Sequence, residues 1–313
     1  MEEGSLLGDD VTIITGPTAS GKGTVAFSLA GRIDGEIVSL DSMKVYREMD
    51  IGTAKASIEK RRAIPHHLMD IVDPNEAFST GDFLSRCARV FAEIRSRGKK
   101  IVVSGGTALY LMGLVKGLSE LPAADWALRE RLRDEAERDG VDALHERLRS
   151  VDAAAADRIL PGDLRRIVRA LEVYEVTGRP MSESWEWGSD ESTAESFRLH
   201  GIAWERQEIY RRTDRRVERM VERGLFDEVR RLAAREPAAA HSALQCIGYK
   251  EVIEGWEQGW SDQQIIETVQ RNTRRLVKRQ LTWFRKLPIE WIEASGELDV
   301  DRCVETILGT EVR

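Results

Sequence analysis

Apolar residues along the chain fall into two rhythms. Val11 to Thr15 is a short, β-branched run, and Glu36 to Leu40 is a second. Lys99 and Lys100 lead into Ile101-Val102-Val103-Ser104, which reads as a buried parallel strand. Between these runs the spacing turns helical, over Val25 to Ala30 and again over Phe83 to Arg97, where one face is apolar and the other polar. Strands alternating with helices predict an α/β fold built on a doubly wound parallel sheet. After Leu118 the pattern changes. From Pro122 to about Glu186 the chain is rich in Ala, Arg, Asp, Glu and Leu at helical spacing, with no strand. Gly188 to Glu195 is polar and reads as a loop, and Arg198 to Ala203 reads as a strand returning to the sheet. The predicted organisation is a core made of residues 1–118 and 198–313 with a helical insert at 119–197. No internal repeat and no low-complexity tract is visible.

Composition narrows the class. The 313 residues are 42% hydrophobic and 32% charged, as expected of a folded soluble protein. This length suits one large domain or a core with an attached subdomain. The net charge of -7 argues against wholesale non-specific nucleic-acid binding but leaves room for a local basic groove. Cys87, Cys246 and Cys303 lie too far apart for zinc-ligand spacing and fit a reducing cytosol. No apolar run approaches the length of a membrane span, and Met-Glu-Glu-Gly lacks the start of a signal peptide, so a cytoplasmic protein is expected. Nothing signals self-association, so a monomer is expected. His66 and His67 are adjacent and point apart on most backbones, which favours structural or pocket roles over a metal site.

The first strand runs directly into Gly16-Pro17-Thr18-Ala19-Ser20-Gly21-Lys22, and a helical pattern follows. Strand, glycine loop and helix are the context of a phosphate-binding P-loop. Its glycines let backbone N–H groups converge on phosphate oxygens, the helix presents its positive end, and Lys22 adds a full charge. An ordinary glycine-rich turn would explain the glycines but not Lys22. The motif usually continues with Ser or Thr to ligate Mg²⁺. Here that position is Gly23, which shifts the expected ligand to Thr24 or Ser20. The loop alone specifies a diphosphate, not a nucleoside triphosphate. Asp41 follows the second strand, where ligands bind in open α/β sheets, although a lone Asp there is most often a helix N-cap.

Thr268 to Lys286 carries Arg271, Arg274, Arg275, Lys278, Arg279, Arg285 and Lys286 and no acidic residue. Helical spacing puts Arg271, Arg274, Lys278 and Arg285 on one face and Val277, Leu281 and Phe284 on another. Solvated faces normally mix signs, so this stretch reads as an RNA-backbone surface. Arg211, Arg212, Arg215 and Arg216 form a second cluster, but Glu205, Glu208 and Asp214 lie beside it and favour a solvated face there. Trp283 and Phe284 suit base stacking or core packing, and Trp185 and Trp187 suit packing or a hinge in the insert.

The motifs occur together in a recognisable order. Gly-Pro-Thr-Ala-Ser-Gly-Lys at 16–22, Asp-Ser-Met…Val-Tyr…Met-Asp-Ile-Gly-Thr-Ala-Lys at 41–55, and Pro65-His66-His67-Leu68-Met69-Asp70 come first. Gly105-Gly106-Thr107-Ala108-Leu109-Tyr110, Arg169-Ala170-Leu171-Glu172-Val173, Gln245-Cys246-Ile247-Gly248-Tyr249-Lys250 and Lys278-Arg279-Gln280-Leu281-Thr282-Trp283-Phe284-Arg285 follow. In this order they resemble the tRNA dimethylallyltransferase (tRNA isopentenyltransferase) family over nearly the whole chain. The resemblance implies a P-loop NTPase-like fold and, with Mg²⁺, transfer of a dimethylallyl group from its diphosphate to N6 of the adenosine 3′ of the anticodon, position 37. It implies that residues Gly16 to Gly23 hold the diphosphate, that Asp41 is the general base and that Thr107 orients the adenine amine. It further implies tRNA contacts at Asp41, Ser42, Met43, Lys44, Arg129, Arg165, Arg166, Arg169, Gln245, Gly248, Tyr249, Lys250, Lys278, Arg279, Gln280, Trp283 and Arg285, with the insert meeting the anticodon stem-loop. The chain departs from the family's usual Gln at Lys44, its usual Gly at Glu48, and its Pro-Asn-Asp at Pro161-Gly162-Asp163. Two other readings stand beside this one. A P-loop kinase would suit Gly-Lys-Gly-Thr but has no use for the basic stretch, and a non-catalytic RNA-binding protein would not need Asp41.

Overall fold

The computed structural model describes residues 6–117, 121–184, 197–235 and 241–309. Trp185, Trp187 and the predicted loop at Gly188 to Glu195 lie outside them. Six strands form one parallel sheet: β1 (Val11–Thr15), β2 (Gly35–Leu40), β3 (His66–His67), β4 (Lys100–Gly105), β5 (Arg198–Trp204) and β6 (Glu290–Ala294), in the order β3-β2-β4-β1-β5-β6. The runs at 11–15, 36–40, 101–104 and 198–203 are all strands, as predicted. β1 and β2 are buried at every position, because helices cover both faces. β3 and β6 escape sequence reading: His66-His67 is only two residues long, and Glu290–Ala294 is an edge strand with one buried residue.

β1 lies between β4 and β5, so the chain switches direction across it. The crevice above its C-terminal end is where open α/β sheets bind ligands. The helix after β1, Lys22–Arg32, buries Val25, Ala26, Leu29 and Ala30 against the sheet. The helix Thr80–Ser96 starts with a capping box, in which Ser79 accepts the Asp82 N–H and Asp82 accepts the Ser79 N–H, and it buries Phe83, Cys87, Phe91 and Ile94. Arg206–Glu222 and Asp262–Phe284 pack together and are joined by Arg274–Asp214 at 2.5 Å. All three cysteines are free. Among the described residues no helix is long and apolar enough to cross a membrane.

The chain divides into two compact units, 1–115 with 193–313, and 116–192. Among its described residues every regular element of the second is helical: Trp126–Asp139, Val141–Val151, Ala153–Arg158, Leu164–Thr177 and a short 3₁₀ turn at Met181–Ser184. Leu132, Leu148, Ile167 and Leu171 are completely buried at its centre. Glu172 is buried there too, with 0% exposure, and accepts from Arg129 Nε and Nη2 at 2.9 Å, the Asp125 N–H at 2.7 Å and Arg169 Nη1. Burial pushes its carboxyl up, but the two arginines and the N–H outweigh that and hold it below the ordinary range. Arg129 and Arg169 therefore spend donors inside their own unit, Arg169 also donating to the Pro122 carbonyl at 2.9 Å. Arg165 and Arg166 are exposed, and Arg166 meets Asp163 at 3.4 Å.

Glu172→Ala leaves two half-buried guanidinium groups without their anion and should destabilise the fold by ~3–5 kcal/mol in urea titrations followed by circular dichroism. The pH dependence has a fixed sign. A depressed carboxyl pKa contributes stability above its unfolded value of 4.5, and that stability is lost as pH falls through the folded value. The wild type should therefore lose more stability below that pH than Glu172→Ala does.

Candidate functional site

Three chain segments meet above the C-terminal ends of β1, β2 and β4. The first is the phosphate loop. Gly16 is buried at φ 141°, and a Cβ there would meet the Ile202 carbonyl at 3.0 Å and the Ser20 hydroxyl at 2.9 Å. Glycine is required by both conformation and space. Ala19 takes φ 64°, a left-handed conformation uncommon for a residue with a Cβ, and two residues hold it in place. Trp204 Nε1 donates to the Ser20 carbonyl at 2.8 Å, and Arg212 Nε donates to the Ala19 carbonyl at 3.1 Å while stacking on the Trp204 ring at 3.9 Å. Pro17 accepts the Ser20 N–H at 3.2 Å and Lys22 Nζ at 3.1 Å. The Thr18 N–H is bonded to Gln280 Oε1 at 2.9 Å.

The second and third segments follow β2 and β4. Leu40 is in register with Gly105, where any Cβ would overlap the Leu40 carbonyl. This close approach sets Asp41 and Ser42 beside Thr107. The Thr107 N–H donates to the Leu40 carbonyl at 3.3 Å, Thr107 Oγ1 accepts the Ser42 N–H at 3.0 Å, and its hydroxyl donates to Ser42 Oγ at 3.4 Å. Asp41 Oδ1 accepts the Met43 and Lys44 N–H groups at 2.9 and 3.3 Å. No helix follows Asp41, so the helix N-cap expected of a lone Asp is not what forms; the carboxylate instead closes a local turn, using one oxygen. Among the described residues Oδ2 accepts no protein hydrogen bond.

Three cations stand within electrostatic reach of this carboxylate. Lys22, Lys44 and Arg216 keep some accessible surface, yet protein surrounds each charged end. Burial depresses all three; Lys22 falls to about 7 from 10.5, with Arg216 and Lys44 repelling its charge and Asp41 supporting it. Arg216 also donates to the Thr53 carbonyl at 3.5 Å. Charge patterning alone misjudged this residue. Arg211 and Arg215 pair with Glu208 at 2.9 and 3.0 Å as a solvated face should, whereas Arg212 and Arg216 turn inward. The i, i+4 spacing beside the buried stripe Ile209, Thr213 and Val217 was the available signal.

Several residues given RNA contacts by resemblance sit elsewhere. Tyr249 is completely buried and its hydroxyl donates to Glu228 at 2.6 Å, so its side chain is closed to RNA. Glu228 also accepts the N–H groups of Asp50, Ile51 and Gly52, at 3.0, 2.9 and 3.1 Å, and pins the 41–55 segment. Gly248 is buried at φ 100° and donates to Glu251 at 2.7 Å, and Lys250 pairs with Glu254 at 3.4 Å. Gln245, Lys278, Arg279 and Arg285 are exposed, while Trp283 is half-buried under Lys286. Phe284 is core, at 0% exposure. Arg274 finds Asp214 on the neighbouring helix, so the basic face is less free than its own sequence implies. Arg285 lies just past the helix end. His66 bonds the Ile64 carbonyl and His67 the Glu36 carboxylate, and no metal-holding group of three His, Cys, Asp or Glu occurs among the described residues. Glu48 adopts φ 64°, which accounts for glycine as the usual residue there, and it pairs with Arg235.

The depressed Lys22 predicts a pH signature. A bound anion favours the ammonium form, so affinity for inorganic pyrophosphate should fall by up to tenfold per pH unit above 7, beyond the change due to pyrophosphate's own ionisation. Calorimetry on the wild type and Lys22→Met isolates the effect, which the variant should lack.

The comparisons with known proteins agree with one another. The IPP transferase family matches residues 44–287. A tRNA dimethylallyltransferase of Geobacter metallireducens is 45% identical over 302 residues, covering 96% of each chain, and that of Geobacter sulfurreducens is 47% identical over 290, covering 92% of this chain and 93% of its own. Among solved structures, the tRNA isopentenylpyrophosphate transferase of Bacillus halodurans is 36% identical with TM-score 0.67, covering 96% of each chain. A eukaryotic dimethylallyltransferase acting on tRNA is 26% identical with TM-score 0.75, covering 97% of this chain and 80% of its own. Phosphate loop, strand-end carboxylate and sequence likeness over nearly the full length lead to one conclusion: the chain belongs to the tRNA dimethylallyltransferase family of IPP transferases.

Proposed function

We infer that this protein transfers a dimethylallyl group from dimethylallyl diphosphate to N6 of the adenosine 3′ of the anticodon in tRNA, position 37, releasing diphosphate. The observation that carries the reading is the Asp41–Ser42–Thr107 junction beside the phosphate loop, with a carboxylate oxygen left over and cations around it.

The chemistry needs these parts. The adenine N6 lone pair is delocalised into the ring and attacks poorly. As N6 bonds to the allylic carbon, the carbon–oxygen bond breaks and its electron pair leaves with diphosphate. The N6 proton passes to Asp41 Oδ2. Thr107 is tied to the Asp41 segment through Ser42 and orients the amine. Charge gathers on the departing diphosphate, where Lys22 and Arg216 already stand desolvated and gain a counter-ion. Arg212 holds the shape of the loop. The P-loop thus cradles a leaving group, and no phosphoryl transfer is involved.

Magnesium fits the donors present. Gly23 offers no side-chain oxygen, Thr24 is exposed in the first helical turn, and the buried Ser20 hydroxyl has no partner among the described residues. Thr24 suits an accessible ion better than the enclosed Ser20. When bound with diphosphate, Mg²⁺ supplies further charge neutralisation.

The adenine must leave its stack at a cost of a few kcal/mol. Contacts to the anticodon stem-loop recover it. Exposed Gln245, Lys278, Arg279 and Arg285 remain suited to this, as do Arg165 and Arg166 in the helical unit, while Ser42, Met43 and Lys44 adjoin the base-side pocket. The working unit in this reading is a cytoplasmic monomer.

Incubation with Mg²⁺, dimethylallyl diphosphate and unmodified tRNA should give prenylated adenosine by mass spectrometry. ATP turnover on a small acceptor, with no prenylated product, would overturn the reading. Asp41→Ala should cut turnover roughly 10²–10⁴-fold with tRNA affinity nearly unchanged. A matching loss of affinity would make Asp41 a binding residue. Nothing lies within 4 Å of a Cβ at position 23, so Gly23→Ser should fold normally and lower the Mg²⁺ concentration for half-maximal turnover.

A further inference from the structure

The inward stripe of the helix Asp262–Phe284 includes a long amide side chain. Thr273, Val277 and Phe284 are buried at 8%, 0% and 0% exposure. Gln280 lies on the same stripe, three residues after Val277 and four before Phe284. A long polar amide on a core-facing stripe calls for partners. It has two. Its Oε1 accepts the Thr18 N–H at 2.9 Å and its Nε2 donates to the Gly106 carbonyl at 2.8 Å. The orientation is unique, because a flipped amide would set donor against donor and acceptor against acceptor. Gly106 accommodates the contact: a Cβ there would meet Gln280 Nε2 at 2.7 Å and the Gly16 carbonyl at 3.1 Å.

The amide therefore bridges the donor-side loop and the acceptor-side turn. Thr18 belongs to the loop that cradles diphosphate, and Gly106 precedes Thr107. Lys278 and Arg279, its neighbours in sequence, are exposed. We propose that Gln280 is a positioning residue, not an RNA contact: it sets the spacing between the phosphate loop and the Gly106-Thr107 turn, and so between the allylic carbon and the amine that attacks it. The bridge also fixes the Thr18 peptide, which shapes the loop for any diphosphate. The part concerning catalysis rests on the prenyl-transfer reading. The part concerning the loop does not.

The test uses Gln280→Met and Gly106→Ala, which remove the bridge from opposite ends, and their double variant. At saturating dimethylallyl diphosphate and tRNA, each single variant should lower kcat roughly five- to thirtyfold, the range for one to two net hydrogen bonds. The tRNA Kd should stay within about twofold. The double variant should be no worse than about twofold below the poorer single variant, because both remove one interaction. Inorganic pyrophosphate should bind Gln280→Met more weakly by calorimetry, whichever acceptor the enzyme uses. A raised tRNA Kd with unchanged kcat at saturation would return Gln280 to RNA contact and overturn the proposal, as would multiplicative losses in the double variant or unchanged pyrophosphate affinity. Should Gln280→Met fail to fold, an undiminished kcat in Gly106→Ala overturns it equally. Absence of prenylated product from the wild type sinks the prenyl-transfer reading alone and leaves the pyrophosphate measurement to judge the bridge.

Discussion

The site depends first on how closely β2 and β4 approach at their C-terminal ends. With no side chain at Gly105, the Leu40 carbonyl sits against the backbone of the neighbouring strand, and Thr107 arrives one bond away from Ser42. Any larger residue at 105 would push the strand ends apart. The carboxylate of Asp41 and the hydroxyl of Thr107 would then no longer share a wall. Parallel pairing supplies the rest: β1 lies beside β4, so the phosphate loop opens into the same crevice. Three sequence-distant segments become one site because three strands end at one level.

Electrostatics then gives that crevice its preference. Lys22, Lys44 and Arg216 lie within electrostatic reach of a single carboxylate, and burial weakens the cationic form of each. An anion carrying several charges relieves this arrangement more than a neutral molecule can. Lys44 stands where the family usually has Gln, so this chain places one additional desolvated charge beside Asp41. Its backbone N–H already serves the Asp41 turn, which any residue there can do; the ammonium is what the lysine adds.

Local motifs were legible from the sequence and long-range partners were not. The phosphate loop announces itself because glycine, lysine and helix start are contiguous, and each strand beside it is a short apolar run. Asp41 is visible at a strand end, but a helix cap is the wrong local reading: no helix follows, and the carboxylate closes a turn with one oxygen and leaves the other. The bridge from Gln280 to Thr18 spans 262 positions, and no periodicity reports such a contact. Resemblance placed Tyr249, Arg129 and Arg169 among RNA-contacting positions. Their environments, an apolar core with a buried bond to Glu228 for Tyr249 and the Glu172 ion pairs for the two arginines, are properties of packing. Edge strands β3 and β6 stayed hidden because short or half-exposed strands carry little alternation.

Clusters of like charge deserve to be divided by helical phase before any role is assigned. Arg211, Arg212, Arg215 and Arg216 look uniform in sequence, and nearby acids make the whole group read as solvated. On the helix the four separate into two pairs: one neutralised by Glu208 at the surface, the other turned toward the phosphate loop and Asp41. The reverse holds on the helix Asp262–Phe284. There the absence of acids suggests a free basic face, yet Arg274 takes Asp214 from its neighbour, and Gln280 near the helix end joins the two halves of the site. A charge count describes composition, whereas helical phase decides which charges meet protein and which remain for a ligand.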